Sequence, residues 1–478
     1  MTSDANLLIG RISELEHLKQ IQNSNEAEFV VVYGRRRVGK TFLINTFYKE
    51  NFAFKLTGLA KRDSAEQLEN FRLSLNRYGN GKTYPKPKTW YAAFEMLRDL
   101  LENSKIIGKK VVYIDELPWM DSRGSNLVPA LEHFWNDWGT TQSDLTLIVC
   151  GSATSWITKK ILKNRGGLHN RVTQKIYLHP FTLKECKEYI ISRDLELSDK
   201  EIAECYMIFG GIPFYLKHLK RGLSLSQNVD SMLFASNGLL HNEFEELYAS
   251  LFEQSNNYIK VVETLSKINK GLTREELLAA TKMESSGYFS TLLQDLIDCE
   301  FIRSYKDFGK SSRGQMFQLI DPFTHFYYKF IKKYGTFDKP FWQFQIGTHQ
   351  HDTWAGLAFE QLCLIHLPQI ENALGISGII TQAFSWVSDK NAEEKAQIDL
   401  VIKRADKVIN VCEMKFCETE YELKKRDYEN MERKIRAFKS ANGLHCAIHP
   451  ILVTPYGLKQ NQYSHVFQKV ILLEDLMK

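Results

Sequence analysis

Three uninterrupted apolar runs mark the first third of the chain: the opening of EFVVVYGRRRVGKTFLINTFY (28–48), the centre of KKVVYIDELPWM (109–120), and LTLIVCGSAT (145–154). Each is short and rich in β-branched residues, the pattern of a strand buried on both faces. The first run is followed by a tight loop and an amphipathic helix. From 255 to 320 the period changes to helical, with NNYIKVVETLSKI, TREELLAAT and SSGYFSTLLQDLIDCEF, and closes on a two-stranded turn, IRSYKDFGKSSRGQMFQLI. In DPFTHFYYKF (321–330) the spacing of Phe323, Phe326, Tyr327 and Phe330 describes a buried helical face joining modules. The last segment, 354–478, reads as the helix TWAGLAFEQLCLIHL, the strands QIDLVIK (397–403) and NVCEMKF, and the helix YELKKRDYENMERKIRAFKS (421–440).

Bulk properties narrow the class. The chain has 478 residues, more than one ordinary domain needs, with 44% hydrophobic and 25% charged residues, the balance of a globular protein. The start, MTSDANLLIG, lacks a basic segment followed by a long apolar core, and no apolar run approaches membrane-spanning length, so the reading is cytoplasmic with no membrane partner. The cysteines at 150, 186, 205, 299, 363, 412, 417 and 446 form no C-x-x-C pair and read as reduced and packed. The histidines of THQH (348–351) read as a polar loop connector rather than metal ligands. A net charge of +5 permits a nucleic-acid partner without arguing for one.

The loop after the first strand fits G-x-x-x-x-G-K-[ST] in full, with Gly34, Gly39, Lys40 and Thr41. Glycines let the backbone approach phosphates, the helix N-terminus and loop N–H groups cradle them, Lys40 reaches the β and γ phosphates, and Thr41 holds Mg²⁺. ATP and Mg²⁺ are therefore the expected cofactors. The intervening Arg35, Arg36, Arg37 and Val38 complete the loop, and the arginines are expected to face solvent, since the backbone does the cradling. The second run ends in Asp115 and Glu116: Asp115 is the expected Mg²⁺ ligand and Glu116 the carboxylate that polarises the attacking water. Ser152, at the end of the third run, either touches the γ-phosphate or water, or simply ends a strand. Arg171, in GGLHNRV, is either a charge-stabilising arginine, in cis or from a neighbouring subunit of a homo-oligomer, or a solvated loop residue.

IGRISELEHL (9–18), YGRRRVGKT, YIDELPWM, CGSA, HPFTLKE (179–185) and GGIPFYL (210–216) together resemble the archaeal-type AAA ATPases, relatives of the signal-transduction P-loop ATPases. The resemblance covers roughly the first half, its motifs in order. It implies that Gly10 and Arg11 lie near the nucleotide base and that the 210–213 turn belongs to a helical lid. The residues themselves say only that a helix breaks there and another starts at a proline.

The 255–320 order is that of a winged helix, which suggests DNA reading. Charge opposes this, because the would-be recognition helix, 285–299, carries Asp295 and Asp298 and no lysine or arginine. Only the wing is basic, through Arg303, Lys306, Lys310 and Arg313, so an architectural or protein-binding role is expected. DNA reading through Tyr288 or Gln294 is the competing view.

In the last segment Glu413 and Lys415 alternate onto one strand face, Asp399 lies on the preceding strand, and Glu360 sits in an apolar helix. A surface salt bridge accounts for the first pair alone. Carboxylates on adjacent strands sharing a divalent cation, with a lysine orienting its bound water, account for all four. This order resembles the restriction-endonuclease-like nucleases and the C-terminal domain that accompanies archaeal-type AAA ATPases. The resemblance implies Asp399, Glu413 and Lys415 as core positions and Glu360 as a supporting one, although Gln397 stands where another acid would strengthen metal binding. The 421–440 helix, with seven basic and four acidic residues, either tracks phosphates or is a solvated face of i,i+4 pairs.

The expected architecture is α/β: a P-loop AAA-type parallel sheet over 1–175, a helical lid over 176–250, a winged helix over 251–320, an aromatic linker over 321–353, and a restriction-endonuclease-like domain over 354–478. The expected activity is Mg²⁺-dependent ATP hydrolysis coupled to a DNA-directed, nuclease-like module. The alternative is a nucleotide-operated binding switch or regulator whose terminal domain does not cut.

Overall fold

A strand that is apolar on both faces needs cover on both, and the three apolar runs accordingly become neighbours in one parallel sheet. The computed structural model describes residues 8–163, 166–306, 308, 315–337, 339–388, 392 and 394–478. The chain divides into two compact units, 1–180 and 181–478. The first carries α1 (Ile12–Asn23), β1 (Glu28–Tyr33), α2 (Lys40–Tyr48), β2 (Phe54–Thr57), α3 (Ser64–Tyr78), α4 (Trp90–Glu102), β3 (Lys110–Asp115), α5 (Leu127–Asp137), β4 (Leu145–Gly151) and β5 (Gln174–Tyr177). The sheet order is β2-β3-β4-β1-β5, every pair parallel. Tyr33 pairs with Gly151 and Ile114 with Val149, so β1, β3 and β4 end together and their following residues emerge at one edge. Val31, Val112 and Leu147 pack beneath Phe71, Trp90 and Phe134, which fixes that edge on a dense apolar core.

The second unit begins with α6 (Leu183–Ser192) and α7 (Asp199–Phe209) and continues through α8 (Ser255–Ser266), β6 (Leu272–Thr273), α9 (Arg274–Thr281), α10 (Gly287–Asp298), β7 (Ile302–Lys306) and β8 (Gln315–Leu319). The three short strands pair antiparallel in the order β6-β8-β7. Asp295 does not project from α10 toward a ligand: it is 5% exposed and accepts a 2.8 Å hydrogen bond from the Tyr258 hydroxyl. Gln294 donates to Asp298 at 2.8 Å. On the hairpin, the guanidinium of half-buried Arg303 lies 4.8 Å over the Tyr305 ring, and its Nε donates to Gln318. Arg303 is therefore a packed residue rather than a free wing cation, and Lys310 and Arg313 lie outside the described residues.

The hairpin continues into Phe308, which is 9% exposed and belongs to the core of the following module. Its ring stands 5.3 Å from Phe384 and 5.0 Å from Phe438, and its N–H donates to the Ser385 carbonyl at 3.1 Å. The 321–330 stretch is core: Phe323, Phe326 and Phe330 are fully buried, with Phe326 4.9 Å from Trp342 and 5.4 Å from Trp354.

That module adds α11 (His349–Ile365), β9 (Thr381–Val387), β10 (Gln397–Arg404), β11 (Val408–Met414), α12 (Lys425–Ala441), β12 (Ala447–Thr454) and β13 (Lys469–Leu472). Its mixed sheet runs β13-β12-β11-β10-β9, antiparallel from β9 to β11 and parallel beyond. The THQH stretch is not a loop, because Thr348 caps α11 and His351 is buried 3.3 Å from Glu204. All eight cysteines are free thiols. Among the described residues no helix is long and apolar enough to cross a membrane.

His366, 1% exposed, ties this unit together. Its Nε2 accepts the Leu183 N–H at 2.9 Å, so the proton sits on Nδ1, which donates to the Leu362 carbonyl at 2.9 Å. Burial lowers its pKa to about 4, and protonating Nε2 would set two donors against each other. A histidine whose folded pKa is depressed withholds a proton that the unfolded chain binds, so its contribution is complete above about pH 6.5 and is lost as pH falls toward 4. The Tm is expected to drop over that window by more than in His366→Gln, a comparison that differential scanning calorimetry makes directly.

Candidate functional site

Gly34 ends β1 with φ 140°, and a Cβ there would stand 2.4 Å from the Leu178 carbonyl oxygen. Only glycine lets the chain turn so close to its neighbour. The loop continues through Arg37 and Gly39, with φ 74° and 96°. Gly39 opens α2 with no side-chain cap, so the first N–H groups of that helix have no side-chain acceptor. Uncapped N–H groups and the positive end of the helix dipole suit an anion.

The Lys40 side chain folds back under this loop, 5% exposed. Its ammonium donates to the Gly34 carbonyl at 2.9 Å, the Arg35 carbonyl at 2.8 Å and the Ser152 hydroxyl at 3.0 Å. Ser152, just past β4, donates in turn to Glu116, from Oγ at 2.6 Å and from N at 3.1 Å. Glu116 follows β3 in the left-handed region, φ 49°, which turns its carboxylate back toward β4. Beside it the Thr41 hydroxyl donates to Asp115 at 2.8 Å. Residues from three strand ends thus form one polar network.

Arg11, φ 56°, donates from Nη2 to the Val38 carbonyl at 3.2 Å and so braces the loop from outside; Gly10 precedes it. The loop arginines do not all face solvent. Arg35 is 2% exposed, its carbonyl serving Lys40 while its side chain packs inside, whereas half-buried Arg36 lies 5.8 Å over the Trp119 ring. Arg171 is exposed on the turn before β5.

In the second unit Glu360, Asp399, Glu413 and Lys415 line one cleft of about 790 Å³. The β10–β11 register pairs Leu400 with Cys412, which sets Asp399 opposite Glu413 one step further on. Against β9 the register of β10 slips by one between Ile398 and Val401, so Asp399 and Leu400 face the single residue Ser385. Such a bulge re-aims side chains, and Ser385 Oγ braces it by donating to the Asp399 carbonyl at 2.9 Å. Gln397 donates to Asp399 Oδ1 at 2.7 Å, filling part of the position where another acid would strengthen metal binding.

Glu413 is bracketed by lysines. Lys415 reaches Oε1 at 2.8 Å and Lys434, from α12, reaches Oε2 at 2.7 Å. Burial pushes the Glu413 pKa up, but the two ammonium groups overcome it and hold the carboxyl below its ordinary range. Glu360 has no such cation in contact among the described residues, and burial, reinforced by the charges of Asp399 and Glu413, raises its pKa to about 8. Among the described residues no group of three or more His, Cys, Asp or Glu side chains stands close enough to hold a metal ion together. The three carboxylates share a cleft without forming a chelate.

Residues 8–219 match the family described as an ATPase domain predominantly from Archaea. The chain belongs to the archaeal-type AAA ATPases. An uncharacterized protein of Methanocaldococcus jannaschii is 26% identical over 68% of this chain and 69% of its own length. An uncharacterized ATP-binding protein of the same organism is 49% identical over 41 residues, 9% of this chain and 70% of its own. The Walker-type ATPase of Pyrococcus abyssi is similar with 18% identity and a TM-score of 0.48, over 67% of this chain and 96% of that one. The ORC2 protein of Aeropyrum pernix, solved as ADPNP–ADP complexes, is similar with 15% identity and a TM-score of 0.41, over 67% and 92%.

In this AAA ATPase the residue that sequence reasoning did not single out is Lys434. The signal was present, since Met431 and Phe438 are the buried residues of α12 and Lys434 lies three and four positions from them. A lysine on an apolar helix face requires a buried partner. In the nucleotide site, Gly34→Ala is expected to cost on the order of 2–4 kcal/mol through the clash with Leu178 and the φ strain, read as a lower urea midpoint with an unchanged slope.

Proposed function

We propose that this ATP-binding AAA ATPase hydrolyses ATP with Mg²⁺ and that its nucleotide state governs a DNA-directed, nuclease-like C-terminal module. The observation that carries the first half is the continuous hydrogen-bond chain from Lys40 through Ser152 to Glu116. All three Lys40 donors rest on internal oxygens, acceptors that a triphosphate replaces with its own. The adjacent oxygens of Thr41 and Asp115 fit a hard cation, and Mg²⁺ supplies charge neutralisation at the phosphates. Glu116 is the base that orients water, held by Ser152 until a γ-phosphate draws the serine and lysine away. Gly10 and Arg11 border the nucleotide, and exposed Arg171 is available to a neighbouring subunit. We read α8 to β8 as a winged helix whose hairpin is engaged internally through Phe308, which favours an architectural role over reading DNA.

For the terminal module, Asp399 opposite Glu413 across the β10 bulge, with Glu360 and Lys415 in the same cleft, supports a divalent-cation site acting on a phosphodiester. Cation binding there requires Lys415 or Lys434 to release Glu413. A second reading rests on that same pairing: a carboxylate already neutralised by two lysines suits a module that binds without cutting, under nucleotide control.

Lys40→Ala is expected to abolish ATP binding, whereas Glu116→Gln retains it and lowers kcat about a hundredfold or more, measured by phosphate release and equilibrium dialysis. Linear, circular and branched DNA incubated with Mg²⁺ or Mn²⁺, with and without ATP, tests the module. Cleavage lost in Lys415→Ala supports nuclease action, and its loss in Lys40→Ala supports nucleotide control. Intact ATP turnover with no cleavage under any condition overturns nuclease action in favour of the binding switch.

A further inference from the structure

A second cavity, of about 580 Å³, opens within the 181–478 unit and is lined by Lys267, Lys329, Lys332 and Lys333 with Tyr328 and Glu263. Glu263 anchors two of the lysines, Lys332 at 2.9 Å and Lys267 at 3.6 Å, and leaves the other positive charges of the wall uncompensated by it. Lys332 also lies 5.0 Å over the half-buried Tyr328 ring. His325, on the same wall, is half-buried and adds no charge at neutral pH, its pKa lowered to about 4 by desolvation. A concave wall with four ammonium groups and one carboxylate is built for a polyanion.

This cavity is not isolated. It shares Asn269, Leu357 and Gln361 with a smaller trough, and that trough shares Glu360, Gln397 and Asp399 with the carboxylate cleft. Helix α11 runs alongside all three: Trp354 and Leu357 line the lysine cavity, and Glu360 reaches the cleft. From Trp354 to Glu360 the helix rises only about 9 Å. The cleft also carries basic residues, Lys395 and Arg433 beside the Glu413-bonded Lys434.

We propose that these cavities form one track for a single nucleic-acid strand, whose phosphates are held by Lys267, Lys329, Lys332 and Lys333 and passed along α11 to the carboxylate cleft. A cationic groove with an aromatic ring in its wall suits a single strand, whose bases can stack, better than a duplex. An acidic peptide would satisfy the first cavity but has no use for a cleft that pairs cations with carboxylates. The track rests on the DNA-directed reading for its substrate class and does not depend on cleavage.

The test uses the full chain in EDTA, so cutting plays no part, and reads fluorescence anisotropy of labelled oligothymidylate across a salt series. Lys329→Glu combined with Lys333→Glu leaves the Glu263 pairs untouched. It is expected to weaken binding at least about tenfold and to flatten the log–log salt slope by about 0.7 for each phosphate that is no longer neutralised. Photo-cross-linking of a 4-thiothymidine strand to the unmodified protein is expected to label the 322–334 segment, a readout independent of how the variant folds. Unchanged affinity and slope, cross-links only elsewhere, or tighter binding of polyglutamate that the double variant abolishes would each overturn the track. Binding by these lysines without cleavage in Mg²⁺ or Mn²⁺ leaves the track standing and defeats nuclease action, whereas cleavage that ignores both substitutions does the reverse.

Discussion

The ammonium of Lys40 is the charge around which the nucleotide site is arranged. Taken out of water, it needs an acceptor for each of its protons, and it finds two carbonyls of its own loop and the Ser152 hydroxyl. Those acceptors exist only because Gly34 turns the chain back and because β1 and β4 are paired so that their ends coincide. The same constraint orients Ser152, which then fixes both oxygens of Glu116. A single buried charge therefore links the loop, the Glu116 carboxylate and the sheet register.

The terminal module meets the same constraint with opposite sign. Glu413 is a carboxylate in a half-buried cleft and holds its charge by taking one lysine at each oxygen. Glu360, without a cation in contact among the described residues, carries the cost of burial as a raised pKa. The fold brings these residues into one cleft and satisfies Glu413 with Lys415 and Lys434.

Packing also decides what the helix-and-hairpin module is free to do. Asp295 looked like a repulsive charge on a reading helix, but it is a buried acceptor for Tyr258. Arg303 looked like a wing cation, but it is stacked on Tyr305 and bonded to Gln318. Phe308, which carried no signal in the sequence, commits the hairpin to the core of the next module. Charge counting along the sequence treated Asp295 and Arg303 as exposed charges, and packing gives each a partner within the module.

By itself the sequence determined the parallel core, the phosphate loop and the acids that follow β3, because these depend on local periodicity and on glycines at fixed offsets. It also put Glu413 and Lys415 on one strand face and Asp399 on the strand before it, since alternation along a strand is local and one hairpin relates the two strands. Tertiary structure alone decided that Ser152 binds Glu116, that Arg35 is buried, that the β10 bulge re-aims Asp399, and that Lys434 comes across from α12 to the second oxygen of Glu413. Each of these joins residues distant along the chain or depends on register against a neighbouring strand, and neither composition nor spacing encodes which long-range partner a buried polar group will find.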